Sequence, residues 1–240
     1  GTRFLLSNGQ PARFMFVGLD GVLSGWNGAA GNFAIRVTHN AGSVYTGMAI
    51  ATNGGSSYIY ASDFSNREID VWNQSFSAVN MSFTDPGLPD GFSPFNIQAI
   101  DNKLYVMYAK VGPDGRDEKG PGNGYVSVFN ADGSFVNRFI SRGQLDAPWG
   151  VAKAPANFWG DGSNNPENVI LVGNFGDGRI NAYYEDGRFY GQLRFSGQPI
   201  IIDGLWGISF APATTANPAP NKLFFAAGPN LELDGLFGYI

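Results

Sequence analysis

Short apolar runs alternate with polar turn clusters along the whole chain. Residues 13–17 read Arg-Phe-Met-Phe-Val, the cluster Gly18-Leu19-Asp20-Gly21 follows, and Val22-Leu23-Ser24-Gly25-Trp26 comes next. The same order returns at 58–72, at 104–108 with 124–129 beyond a long insertion, at 169–183, and at 223–227 with 235–239. The closing aromatics Trp26, Trp72, Phe129, Tyr183 and Tyr239 are spaced by 46, 57, 54 and 56 residues. Runs this short, bounded by Gly, Asn and Asp, predict strands rather than helices. A second element lies between the copies, beginning at Gly47, Asn96, Gly150 and Gly207. A third follows the aromatics at 33–37, 78–83, 135–140 and 189–195. Asp132-Gly133 and Asp186-Gly187 precede two of these, and Asp-Gly between alternating strands predicts a tight hairpin.

Each repeat of roughly 50 residues therefore holds four short strands, which is the sequence mark of a β-propeller of antiparallel blades. The first strand of each blade is expected at the central channel, where strands crowd and small residues such as Gly47, Gly150 and Gly207 fit. The closing aromatics are expected to pack in the core between blades. The reading is one all-β domain over 1–240, with a partial blade at 1–40, blades at 41–90, 91–145 and 146–200, and a partial blade at 201–240. That makes about four and a half blades, with six expected in the intact protein. The first repeat lacks a first strand unless residues 3–7 serve, and a five-blade ring closed by 3–7 is the other solution. The last repeat lacks a fourth strand. An open ring exposes strand edges, which invite association.

Composition narrows the chemistry. The 240 residues include 34 Gly and 14 Pro but no Cys, which excludes a disulfide framework, thiolate zinc and a cysteine nucleophile. A net charge of −5 argues against nucleic acid as a partner. No apolar run reaches the ~20 residues of a membrane span. His39 is the sole histidine, so a Ser-His-Asp triad would have to use it, and it reads as a solvated turn residue. Neither a Gly-x-Ser-x-Gly elbow nor a phosphate loop ending in Gly-Lys-Ser/Thr is present.

The carboxylates offer more. Asp146 and Asp203 each stand four residues before the first-strand glycines Gly150 and Gly207, and Asp90 stands six before Asn96. Residues just before the first strand sit at the rim of the channel. Three converging carboxylates would repel unless a cation lay among them. Oxygen ligands favour Ca²⁺ or Mg²⁺, with the Asn96 amide as a fourth donor. The other reading is that each Asp caps its own turn. Asp20, Asp63 and Asn174 occupy matching turns between second and third strands and read as turn stabilisers, with Arg67 and Arg179 pairing locally. Asp114, Asp117 and Glu118 share the insertion 111–124 with Arg116 and Lys119, without EF-hand spacing. This loop reads as mobile and as part of a binding face. Asn73-Gln74-Ser75 and Asn80-Met81-Ser82 match the N-glycosylation triplet.

Tyr58-Ile59-Tyr60-Ala61-Ser62-Asp63, with Asn66 and Ile69-Asp70-Val71-Trp72, resembles an NHL-repeat blade. Residues 19–27, 94–98, 122–129, 141–143, 147–151, 172–183 and 202–207 resemble an uncharacterised family of secreted bacterial and fungal proteins, some with PEP-CTERM sorting tails. The resemblance spans nearly the whole chain and implies an NHL-like propeller and an extracellular location. It implies no activity. Family members carry further residues before the point matching Gly1, so a separate N-terminal fragment completing the ring is an expected partner. The function expected is a non-enzymatic secreted propeller that binds a protein, glycan or small ligand on one face, with a structural Ca²⁺ near the channel. The alternatives are a metal-dependent hydrolase resembling gluconolactonase-type propellers, using Asp90, Asp146 and Asp203, and a purely structural extracellular protein.

Overall fold

The computed structural model describes residues 3–156, 158–159, 168–211 and 220–240. Among them the chain is all-β and built from antiparallel sheets whose strands follow one another in chain order. The first sheet is β1 (Phe14–Val17), β2 (Val22–Trp26) and β3 (Ile35–His39). The second is β4 (Tyr45–Asn53), β5 (Ser56–Asp63) and β6 (Glu68–Asn73). The third has four strands, β7 (Phe92–Ile100), β8 (Lys103–Lys110), β9 (Gly124–Asn130) and β10 (Phe135–Ser141). The fourth is β11 (Pro148–Lys153), β12 (Val169–Asn174), β13 (Ile180–Tyr184) and β14 (Phe189–Gln192), followed by a small ribbon of β15 (Arg194–Phe195) and β16 (Gln198–Pro199). The last is β17 (Leu205–Phe210), β18 (Leu223–Ala227) and β19 (Leu236–Tyr239). This up-and-down order is the blade topology of a propeller.

The chain divides into two compact units, one of Gly1–Met107, Pro113–Gly115 and Ser127–Arg138, the other of Tyr108–Gly112, Arg116–Val126 and Phe139–Ile240. The core of the first holds Leu23, Tyr45, Ile59, Ala61 and Trp72. That of the second holds Leu171, Ile180, Leu205 and Leu223, all without solvent exposure. Each such side chain contributes about 1.5–3 kcal/mol by leaving water.

Two of the three expected small residues, Gly47 and Gly150, mark close strand approach, whereas a Cβ on Gly207 would meet only the Trp149 ring at 3.5 Å. A Cβ on Gly47 of β4 would lie 2.0 Å from Asn96 Oδ1 and 2.8 Å from the Asn96 Cα on β7. One on Gly150 of β11 would lie 2.7 Å from the Trp206 carbonyl oxygen on β17. The Asp-Gly hairpins also form, with Asp132 Oδ1 accepting from Ser134 N at 2.9 Å and Asp186 Oδ1 from Arg188 N at 3.0 Å. Three closing aromatics, Trp72, Phe129 and Tyr183, are buried, whereas Tyr239 on β19 is 58% exposed.

Two strand expectations are corrected. Residues 78–83 do not form a fourth strand, because after one bridge between Trp72 and Ala78 the chain leaves β6. Phe83 is drawn instead into edge contacts with Tyr60 and Phe129. Residues 3–7 form no strand either. Leu5 bridges only to Pro11, Phe4 N donates to Gln74 O at 2.7 Å, and Phe4 itself has φ 54.

The predicted turn stabilisers behave as expected. Asp20 Oδ1 accepts from Val22 N. Buried Asp63 accepts from Val44 N, Asn66 N, Ser65 Oγ and Asn66 Nδ2, tying the β5–β6 turn to the start of β4. Asp85 lies in the segment after β6, where burial alone would raise its carboxyl. The Arg138 guanidinium, the Ser127 hydroxyl and the Gly87 amide outweigh burial and hold it below the usual carboxylate range. For Asp63 burial is likewise outweighed, by Ser43 and Asn66 first. Asp63 and Asp85 both belong to the first unit. Their stabilisation is present above the ordinary carboxylate range and is lost as pH falls through the folded values, where the unfolded chain takes up protons first. The melting temperature is therefore expected to fall between about pH 5 and pH 2. The fall should be shallower in Asp63→Asn, and an identical profile in that variant would contradict the assignment.

Candidate functional site

The structure gives the four sequence-predicted metal residues separate surroundings. Asp90 is an exposed turn residue before β7 in the first unit. Asn96 is 2% exposed and its side chain fills the space that Gly47 leaves. In the second unit, Asp146 is 7% exposed and its Oδ1 accepts from Gly120 N at 2.7 Å. The same carboxylate presses on Gly176, where a Cβ would lie 1.8 Å from Oδ1. Burial raises the Asp146 carboxyl above the usual range, and the charge of Asp177 adds to this. Asp203 is exposed, with Oδ2 accepting from Asn230 N at 3.1 Å. Asp146 and Asp203 thus each hold the backbone of a different loop. Among the described residues, no group of three or more His, Asp or Glu side chains is placed to hold a metal ion.

The insertion 111–124 is anchored, contrary to the expectation of a mobile loop. Val111 bridges to Asp117, Gly112 N donates to Arg116 O, and Glu118 N donates to Lys110 O. Lys110 and Glu118 pair at 2.7 Å, and Gly122 N donates to Leu145 O. Together with the Asp146–Gly120 bond, these contacts seat the insertion against the loop before β11.

That loop and β17 build an aromatic corner that the sequence reading missed. The β11–β12 register shifts between Pro148 and Gly150, leaving Trp149 as an extra residue. The β17–β18 register shifts between Leu205 and Ile208, across Trp206 and Gly207. A bulge leaves its residue out of the ladder and re-aims the side chain. The two half-buried indoles meet edge to face, with centroids 5.4 Å apart and planes at 85°. Phe175, just after β12, lies against Trp206 at 4.2 Å and 30°. Lys119 of the insertion places Nζ 4.1 Å from the Phe175 ring centroid, a favourable cation–π distance. Nearby, Asp177 pairs with Arg179 at 2.9 Å, the local pairing expected for that arginine. Asn174 Nδ2 donates to Asp177 Oδ1 and to Gln144 O. The signal was present in the chain as Trp149-Gly150 and Trp206-Gly207, a large aromatic directly before the small residue in two matching strands.

No protein-family model matches the chain. Two uncharacterized proteins of Acanthamoeba polyphaga mimivirus are similar to it. One is 42% identical over 207 residues, which are 82% of this chain and 51% of the relative. The other is 39% identical over 206 residues, 82% of this chain and 48% of the relative. The chain thus spans about half the length of the relatives it matches. Among solved structures, one from the nidogen/laminin complex has a TM-score of 0.57 at 15% identity, covering 89% of this chain and 69% of that one. A protein of unknown function from Bacteroides caccae has a TM-score of 0.52 at 11% identity, covering 89% of this chain and 65% of that one. At these identities the likeness is one of fold. No helix among the described residues is long and apolar enough to cross a membrane.

Proposed function

We propose that this chain is a non-enzymatic binding domain that takes a ligand with a flat apolar face, a sugar ring in the first instance, on Trp149 and Trp206, with buried Phe175 behind Trp206. The observation that carries the proposal is the pair of bulges that turn two tryptophans out of neighbouring inner strands to meet each other. Large amphipathic rings with a few fixed polar groups around them are the usual lining of a small-ligand site. Here the fixed groups are Lys119, Asp177 and Arg179. A catalytic reading finds less support. His39 ends β3 as an exposed residue, and the Asp146 and Asp203 carboxylates hold backbone amides. The extracellular location and a bound structural calcium ion are the finer parts of the same proposal.

Titration with cello- and chito-oligosaccharides, followed by tryptophan fluorescence, tests the site. Binding is expected, and Trp149→Ala or Trp206→Ala should weaken it tenfold or more, equivalent to about 1.4 kcal/mol. Unchanged affinity in both variants, or no response to any of these sugars, would overturn the assignment. Calcium added during a thermal melt tests the cation separately, since binding to the folded state must raise the melting temperature.

A further inference from the structure

A second site lies in the first unit, where the chain leaves β6. A groove of about 650 Å³ separates the edge of β6 from residues 79–84, lined by Arg67, Glu68, Ile69, Asp70, Met81 and Phe83. The groove exists because the expected fourth strand is absent. Its far wall is fixed elsewhere. Phe83 packs on Tyr60 and Phe129, and the Ser82 carbonyl abuts Gly133, where a Cβ would lie 2.6 Å away.

The β6 side of the groove is a strand edge with open backbone groups. Val71 O accepts from Val79 N, and Asn73 N donates to Ser77 O, so residues 71 and 73 direct their backbone groups away from β5. Alternate residues of a strand point the same way. The Ile69 N–H and C=O therefore face the groove, and no protein group meets them among the described residues. An edge with unpaired N–H and C=O groups is a template for another strand. Extended peptides are recognised in this way, with main-chain bonds giving affinity and pockets for alternate side chains giving specificity.

Charge indicates what the added strand carries. Glu68 and Asp70 follow each other along this edge, and Asp63 lies directly across from Glu68 on β5. The Glu68 carboxyl is raised by partial desolvation first and then by the charges of Asp70 and Asp63, which places it in a locally acidic cluster beside Arg67. Asp70 Oδ2 is already engaged by Tyr45 and Asn40, so Glu68 is left to meet an incoming cation.

We propose that the edge of β6 binds an extended peptide segment bearing a basic side chain, which lies between β6 and residues 79–84 as an added strand with its cation at Glu68. The probe is a fluorescein-labelled octapeptide of alternating Lys and Val, with a Glu-Val octapeptide as its counterpart. Anisotropy should show binding of the Lys-Val peptide, and hydrogen exchange should show new protection of the Ile69 amide. Glu68 is exposed, so Glu68→Lys should fold normally. It should weaken the Lys-Val peptide tenfold or more and favour the Glu-Val peptide. No binding at millimolar peptide, binding that Glu68→Lys leaves unchanged, or protection of Ile69 by concentration-dependent dimerisation without peptide would each overturn the proposal.

Discussion

Asp85→Ala is expected to cost about 3–5 kcal/mol of folding free energy, the range for removing one partner of a buried ion pair. The Asp85 side chain is 2% exposed and that of Arg138 20%. Asp85 Oδ1 lies 2.6 Å from an Arg138 terminal nitrogen, and Oδ2 accepts from Arg138 Nε at 2.7 Å. The guanidinium therefore donates one charge-assisted bond through Nε and holds its terminal nitrogen at ion-pair distance from the other carboxylate oxygen. Ser127 Oγ and Gly87 N add two further bonds at 2.6 and 3.0 Å. Truncation strands a guanidinium and a hydroxyl in a place that water reaches poorly, and this penalty exceeds the loss of the pair itself. Chemical denaturation of Asp85→Ala measures it. The companion Asp85→Leu/Arg138→Met should recover most of the loss, because a buried pair is replaceable by apolar groups of similar volume. A single substitution costing less than about 1 kcal/mol would show that the pair behaves as a surface bridge.

The second large effect is at the inner strands of the second unit. Gly150→Ala is expected to destabilise by about 1–3 kcal/mol, the usual cost of forcing extra volume into a packed site. The added methyl would meet the Trp206 carbonyl at 2.7 Å and the Ile208 amide nitrogen at 3.0 Å, and neither backbone group can swing aside. Gly207→Ala is the control. Its methyl meets only the Trp149 ring, at 3.5 Å, an ordinary contact. That change should stay within about 0.5 kcal/mol of the parent. The first variant should also alter the near-ultraviolet circular dichroism of the Trp149–Trp206 pair. Equal melting of both variants would refute the close-packing account.

The strand order was legible because each strand carries its own signal. Alternating apolar residues between Asp, Asn and Gly turns located β1 and β2, β5 and β6, and β12 and β13. Asp132-Gly133 and Asp186-Gly187 located the hairpins into β10 and β14. Residues 78–83 misled because their alternation describes a strand equally well, while the burial of Phe83 against Tyr60 and Phe129 depends on residues distant in sequence. The site was less legible for the same reason. Asp146 and Asp203 share a repeat position, but one meets Gly120 in an insertion and the other Asn230 in a loop, so equivalent places acquire different partners. A bulge is a two-strand property, so Trp149 and Trp206 looked like ordinary inner-strand residues until their partners were placed.

The bulges have a consequence for how such a domain can change. Register shifts fall at Thr46 in β4, at Trp149 in β11 and across Trp206-Gly207 in β17, each with a glycine next to the larger residue. The residue in that slot is outside the ladder, so its identity is uncoupled from strand pairing, while Gly47 and Gly150 behind two of the slots let the next strand approach closely. One slot holds threonine and two hold tryptophan within the same chain. The side chain presented there can then be exchanged one repeat at a time by single substitutions that leave the strand ladder intact, as characters are exchanged in a fixed frame of type.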